Sequence, residues 1–159
     1  MRRTRILIAI GALLVLGAVN FSILGKERIR RDGVVVYLDL MPVDPRSLMQ
    51  GDYMTLRFRM AQDILSTAKP LPAEGETALA PVNLARNMVG SLARTGEGGN
   101  VRIRYRIRKG AVWLGTNAFF FEEGKDQQYA RARYGEFRVD PTSGEAVLVG
   151  LRDGSLQPL

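Results

Sequence analysis

The sequence predicts a mainly β protein with minor helix, in which one N-terminal transmembrane helix precedes a compact antiparallel domain of the sandwich or barrel type. Two observations predict this class. Residues 6–24 carry no charged side chain, and after residue 33 short alternating runs of apolar and polar residues recur between turn-forming clusters. A chain of 159 residues has room for one such domain. We expect an anchor over residues 1–25, a charged collar over 26–32 and an extracytoplasmic β-rich domain over 33–159.

The anchor is predicted from the length of the uncharged segment. As a helix, Ile6 to Leu24 would span about 28 Å, close to the hydrocarbon core of a bilayer at about 30 Å. A cleaved signal peptide is the alternative, but its apolar region is usually about 7–15 residues long. Its cleavage site also needs small residues, which Ser22-Ile23-Leu24-Gly25 does not offer. We therefore expect an uncleaved, single-pass anchor.

Basic residues flank this anchor on both sides. The net charge is +7, of which Arg2, Arg3 and Arg5 contribute +3, the collar +2 and the whole chain from Gly33 onward only +2. This distribution favours contact with anionic lipid head groups over binding to nucleic acid. The chain contains neither cysteine nor histidine, which excludes disulfides, thiolate metal sites and the commonest general base. We expect no metal and no cofactor.

The alternating runs predict about seven strands after the collar. The turn-forming pair Lys109-Gly110 is expected to join two of them, and Asp140 to Gly144 another two. Short helices are expected at Ala61–Lys69 and at Pro81–Arg94. In the second segment the apolar residues share one helical face. The predicted strands are Gly33–Met41, Tyr53–Phe58, Val101–Arg108, Ala111–Thr116, Ala118–Glu122, Arg133–Val139 and Ala146–Leu151.

The stretch from Pro42 to Phe58 combines a structured loop with a strand. The loop residues Asp44, Arg46 and Asp52 have two interpretations: a ligand-binding cluster, or a loop whose side chains satisfy its own backbone. Turn chemistry accounts for each residue and favours the second interpretation. The candidate binding or structural residues of this stretch are Asp44, Pro45, Arg46, Ser47, Gly51, Asp52, Tyr53, Leu56 and Phe58.

Gly51-Asp52-Tyr53-Met54-Thr55-Leu56-Arg57-Phe58 resembles the signature of the GDYXXLXY family of membrane-anchored bacterial proteins, with Phe58 in place of the last tyrosine. Residues 42–47 are similar to that family's lead-in. Residues 119–124, an aromatic run that ends in Glu123-Gly124, are similar to its second landmark. The resemblance implies an anchor in the bacterial inner membrane and a periplasmic domain. Members of that family are often encoded beside multi-spanning membrane proteins, so we expect such a protein as a partner in addition to the lipid bilayer. The resemblance carries no established active site.

Four arginines form the most conspicuous polar pattern. They alternate with apolar residues along one predicted strand, so that they share a face and lie about 6.6–6.8 Å apart. Such a row suits an anionic lipid, glycan or protein partner. The alternative is a solvent face paired with acids on the next strand, but Ala111–Thr116 contains none. The four residues are Arg102, Arg104, Arg106 and Arg108.

Two enzyme hypotheses are weaker. A carboxylate from Glu122-Glu123 could serve acid or base chemistry, although glutamate before Gly124 is more typical of a turn. Ser47 follows an anchor and precedes a Gly-Asp strand, an arrangement similar to bacterial signal peptidases that use a serine and a lysine.

The lysines beyond the collar are Lys69, Lys109 and Lys125, and none lies in the apolar setting that would activate an amine as a base. We therefore expect a non-catalytic accessory or binding module at the membrane. The serine hydrolase and the binder of an anionic glycan or lipid remain as alternatives.

Overall fold

One long helix, α1 (Arg2–Asp32), leads directly into the strands. The computed structural model describes residues 2–41, 53–68, 70–94 and 96–159. From Ile10 to Asp32 the helix is long and apolar enough to cross a membrane. Its 31 residues extend about 46 Å at about 1.5 Å per residue. It is therefore longer than the segment that a bilayer core of about 30 Å would cover.

Nine strands and two short helices follow in the described part of the chain. Seven strands form one curled sheet in the order β6-β5-β3-β4-β1-β8-β9, and β2 pairs with β7 in a separate ribbon. All neighbours run antiparallel except β1 and β4. The mainly β fold with an N-terminal anchor-type helix is thus confirmed. The elements are β1 (Val34–Asp39), β2 (Tyr53–Thr55), α2 (Arg59–Thr67), β3 (Thr77–Leu84), β4 (Val89–Leu92), β5 (Val101–Arg108), β6 (Ala111–Trp113), β7 (Ala118–Phe120), α3 (Asp126–Tyr129), β8 (Tyr134–Val139) and β9 (Ala146–Arg152).

The sheet curls until the β8–β9 turn meets β5. The backbone N–H of Arg104 donates a hydrogen bond to the carbonyl of Gly144 over 2.7 Å. Gly144 has a φ of 71°, and a Cβ there would lie 3.0 Å from the backbone oxygen of Arg102, so this close approach favours glycine. Helix α2 packs its buried Met60 and Ile64 against β1, β4 and β6. The resulting core combines residues from every strand of the curled sheet.

The helix predicted over Pro81–Arg94 is wrong, because these residues form the hairpin of β3 and β4. Val82 lies opposite Leu92, and Leu84 lies opposite Gly90. A Cβ at Gly90 would meet Val36 Cγ1 at 2.8 Å, so glycine allows three strands to come together here. Pairing of β3 with β5 and of β4 with β1 places Ala80 and Val82 in the core, and this burial overrides the helical spacing of the segment.

Other predicted elements are present with shifted ends. The short helix expected at Ala61–Lys69 is α2, and the strand expected over Val101–Arg108 is β5. Lys109 and Gly110 have φ values of 50° and 70°, as the predicted two-residue hairpin turn requires. The strands predicted over Tyr53–Phe58, Ala111–Thr116 and Ala118–Glu122 are shorter, ending at Thr55, Trp113 and Phe120.

Candidate functional site

Of the stretch from Pro42 to Phe58, the structure describes residues 53–58, and this end packs into the core. Leu56 and Phe58 are 1% and 2% exposed, and the ring of Phe58 contacts that of Phe137 edge-on, with centroids 5.2 Å apart. Tyr53 is half-buried, and its ring lies 5.6 Å from that of Phe120. The last position of the motif is therefore a packing position in this chain. The other predicted residues lie outside the described residues: Asp44, Pro45, Arg46, Ser47, Gly51 and Asp52.

Glu123 and Gly124 lie in an exposed turn after β7. Gly124 has a φ of 82°, a conformation that favours glycine. Nearby, Lys125 Nζ lies 2.5 Å from Glu122 Oε2. This hydrogen-bonded ion pair raises the pKa of Lys125 and lowers the pKa of Glu122. A raised pKa is the opposite of what an amine needs to act as a general base near neutral pH.

The four arginines of β5 form one exposed row, which we call the arginine face (Arg102, Arg104, Arg106 and Arg108), while their neighbours on the strand point into the core. Across the sheet, Arg106 lies opposite Thr77 and Trp113, and Arg104 lies opposite Leu79. Neither neighbouring strand places a carboxylate opposite these two arginines. Other groups partly engage the face: Arg104 Nη2 donates to the Ser143 carbonyl over 2.8 Å, and the Arg108 guanidinium lies 5.6 Å from the Trp113 ring.

Half of the arginine face borders a cavity of about 340 Å³. Arg104 and Arg106 line it from β5, and Trp113 lines it from β6. Lys26 of α1 and Glu145, just before β9, line its other side and form an ion pair with each other. The basic cavity, as we call it, is thus lined by three cationic side chains and one carboxylate.

The end of α1 is fixed to the domain next to this cavity. Ile29 is buried, and its carbonyl accepts a hydrogen bond of 2.9 Å from the N–H of Gly33. Arg138 Nη1 on β8 donates to the Gly33 carbonyl over 3.4 Å. A Cβ at Gly33 would lie 3.0 Å from the backbone nitrogen of Val139, so helix and sheet touch directly. The predicted collar forms the last turns of α1 and packs on β8.

Sequence reasoning missed a buried charge. Glu136 is 6% exposed and accepts a hydrogen bond from Arg152 Nε over 2.7 Å, while Arg138 Nη2 lies 3.8 Å from its other oxygen. The Arg152 guanidinium also lies 5.8 Å from the Tyr37 ring. A register shift between Glu136 and Phe137 accompanies their consecutive burial. A register shift of this kind leaves no alternating pattern in the sequence, so it could not be predicted. We call these three residues the Glu136 cluster (Glu136, Arg138 and Arg152).

The turn between β8 and β9 lies between the strands of the Glu136 cluster and the basic cavity. Asp140 Oδ1 accepts hydrogen bonds from the backbone N–H groups of Ser143 and Thr142, over 2.6 and 2.9 Å. These bonds, that of Ser143 first, lower the pKa of Asp140. The same turn presents the Ser143 carbonyl to Arg104. The carboxylate of Asp140 therefore helps to position one side chain of the cavity.

Comparison with known protein families gives a match over most of the chain. The model of the family described as GDYXXLXY protein matches residues 15–151, which covers the second half of α1 and nearly all of the sheet. Neither the curated proteins nor the solved structures gave a match.

Proposed function

The chain belongs to the GDYXXLXY protein family, and from that membership together with its fold we propose that it is a non-catalytic accessory module of a bacterial inner membrane. In this proposal α1 spans the membrane once, the β-rich domain lies on the periplasmic side, and the partner is a multi-spanning membrane protein. The observation that carries the proposal is the direct packing of α1 on the domain.

This junction limits which partners the domain can reach. Ile29, Gly33 and Arg138 join the helix to β8 without an intervening flexible linker. A domain on a long linker would search a large volume, whereas a domain fixed to its membrane helix stays at the bilayer surface. It then faces proteins that share the membrane, which favours an accessory role beside an integral partner.

One face of α1 also suits contact with another membrane helix. Gly11, Ala18, Ser22 and Gly25 fall within a narrow sector of the helix, since each residue advances by about 100°. Small residues allow membrane helices to approach closely. A Cβ at Gly11 or Gly25 would meet nothing within 4 Å, so this face is uncovered in the chain by itself.

The residue types support a non-catalytic role. The chain lacks cysteine and histidine. Lys109 is exposed in the turn between β5 and β6, and Lys125 is held in its charged form by Glu122. Ser47 and Lys69 lie outside the described residues. The alternative that the chain is a serine hydrolase is therefore tested by substitution of Ser47. Ser47→Ala should leave function in cells unchanged, and loss of that function would favour the hydrolase instead.

The test is purification after cross-linking in the intact membrane. We expect the full chain, extracted in a mild detergent, to carry a multi-spanning membrane protein in stoichiometric amount. Gly11→Leu should reduce recovery of that partner by about tenfold, because one lost close helix contact is sufficient for an effect near 1.4 kcal/mol.

The matched control is Gly17→Leu. Gly17 lies about 120° around the helix from Gly11, since each residue advances by about 100°. Apart from its own helix backbone, an added Cβ there would also meet nothing within 4 Å. This variant should recover the partner as the natural chain does. Recovery of the chain alone after cross-linking would contradict the accessory role, and equal losses in both variants would contradict the helix face.

A further inference from the structure

The basic cavity lies at the end of the domain nearest the predicted membrane segment. Lys26, which lines it, follows Leu24 by two residues, a distance of about 3 Å along the helix axis. Leu24 is the last large apolar residue before the charged collar. Since Lys26 pairs with Glu145 of the domain, the cavity and the end of that segment lie at the same level. In a bilayer, this is the level of the lipid head groups.

The lining of the cavity matches the chemistry of that level. Arg104 and Arg106 stand two residues apart on β5, about 6.6–6.8 Å, and guanidinium groups bind phosphate oxygens in a bidentate manner. Thr77, opposite Arg106, also lines the cavity and adds a hydroxyl. Trp113 completes the wall, and tryptophan is enriched at membrane interfaces. The volume of about 340 Å³ falls in the usual range of small-ligand sites, about 300–1,000 Å³.

We propose that the basic cavity binds the phosphodiester of an anionic phospholipid head group, with Arg104 and Arg106 as its phosphate ligands. Membrane spanning by α1, as proposed above, is required, whereas the multi-spanning partner is not. Lys26 contributes positive charge, and Glu145 offsets part of it. Arg102 and Arg108 belong to the same arginine face but lie outside the lining of the cavity, so the phosphate site uses only the two middle residues of the face.

The chain carries its own reporter for this site. Trp113 is the single tryptophan of the chain and lines the cavity. The full chain in uncharged detergent micelles is titrated with short-chain phosphatidylglycerol while tryptophan fluorescence is followed. We expect a saturable change with phosphatidylglycerol and a much weaker one with short-chain phosphatidylcholine, whose head group is neutral overall. Equal responses to the two lipids would overturn the assignment to an anionic lipid.

Titration with inorganic phosphate tests whether the cavity binds a lipid head group or a soluble phosphate. It should produce no response over the concentration range in which phosphatidylglycerol saturates, because it cannot partition into the micelle beside α1. A response to inorganic phosphate as tight as the response to the lipid would assign the cavity to a soluble phosphate ligand and overturn the lipid proposal.

Substitutions test which residues hold the phosphate. Arg106→Glu should weaken binding of phosphatidylglycerol by about tenfold or more, because the loss of a hydrogen bond between charged groups lowers affinity by at least that factor. Arg102→Glu, with the same charge change on the same face but outside the cavity, should bind as the natural chain does. Glu145→Gln should bind more tightly, since it removes the carboxylate of the cavity and frees Lys26. Equal weakening by Arg106→Glu and Arg102→Glu would overturn the site in favour of a diffuse charge effect.

Far-ultraviolet circular dichroism of each variant shows whether the sheet is intact. The titration needs neither a partner nor a continuous bilayer, so its failure would leave a successful partner purification unaffected. Conversely, a chain that purifies alone could still show the lipid response. The two proposals therefore fail separately.

Discussion

Two groups of arginines on the same curled sheet have opposite surroundings. Arg138 and Arg152, on β8 and β9, converge on the buried carboxylate of Glu136, with Arg152 Nη2 2.6 Å from its Oε2. Arg104 and Arg106, on β5, lie opposite Leu79, Thr77 and Trp113 and border an open cavity. The difference shows that a carboxylate within reach, on the same strand as Arg138 and on the strand next to Arg152, decides whether an arginine forms an ion pair within the fold.

The largest expected effect distinguishes the two groups by stability. Glu136→Ala should lower the free energy of unfolding by about 3 kcal/mol, because it leaves Arg152 largely buried without its carboxylate. Arg106→Glu should change the same quantity by less than about 0.5 kcal/mol, as is usual for an exposed side chain without a structural role. Urea unfolding of the full chain in micelles, followed by the fluorescence of Trp113, measures both.

Glu122→Ala is the matched control for the Glu136 substitution. It also removes a carboxylate from an ion pair, but that pair is exposed, with Glu122 80% and Lys125 46% accessible at the side chain. Solvent screens an exposed pair, so its removal should have little effect on the free energy of unfolding. Similar losses for Glu136→Ala and Glu122→Ala would contradict the contrast between a buried cluster and exposed charges.

A smaller effect is expected at Asp140, which joins the two regions. Asp140→Ala removes the acceptor of two backbone hydrogen bonds and should lower the free energy of unfolding by about 1–2 kcal/mol. Because the Ser143 carbonyl then loses its fixed position, Arg104 should also be less well held, and the phosphatidylglycerol response should weaken modestly. Asp140→Asn retains an oxygen acceptor and should lose less of both. A full loss in the asparagine variant would show that charge, not turn geometry, dominates.

The pH dependence of this contribution has a defined sign. The hydrogen bonds of the turn lower the pKa of Asp140 below its ordinary value. The contribution is therefore fully present above the unfolded pKa of about 3.9 and is lost as pH falls through the folded pKa. The difference in unfolding free energy between the natural chain and Asp140→Asn should shrink on going from neutral pH to strongly acidic pH. A difference that grows toward low pH would contradict this origin.

Local patterns predicted the elements whose neighbours are close in sequence. The alternation of Val101–Arg108 and the residue types of Lys109-Gly110 were sufficient for β5 and its hairpin, because strand period and turn conformation are local properties. The pattern failed over Pro81–Arg94, where an apolar spacing that suits a helix was overridden by pairing with β5 and β1. Gly90, which allows that packing, looks in the sequence like any other glycine.

The candidate site depends even more on contacts that are distant along the chain. The exposed arginine face was predictable from its period of two. The cavity was not, since Lys26 and Glu145 join Arg104 only after α1 docks on β8 and the sheet curls. The pairing of Glu136 with Arg152 likewise depends on a register shift in β8 that no residue type indicates.

The central claim is that α1 crosses the bilayer and holds the basic cavity at the level of the lipid head groups. The most direct test is quenching of Trp113 fluorescence in vesicles of the full chain that contain nitroxide-labelled lipids. We predict strong quenching by a nitroxide on the head group and much weaker quenching by one near the middle of the acyl chain. Absence of quenching by either label would place the domain away from the membrane and contradict the claim.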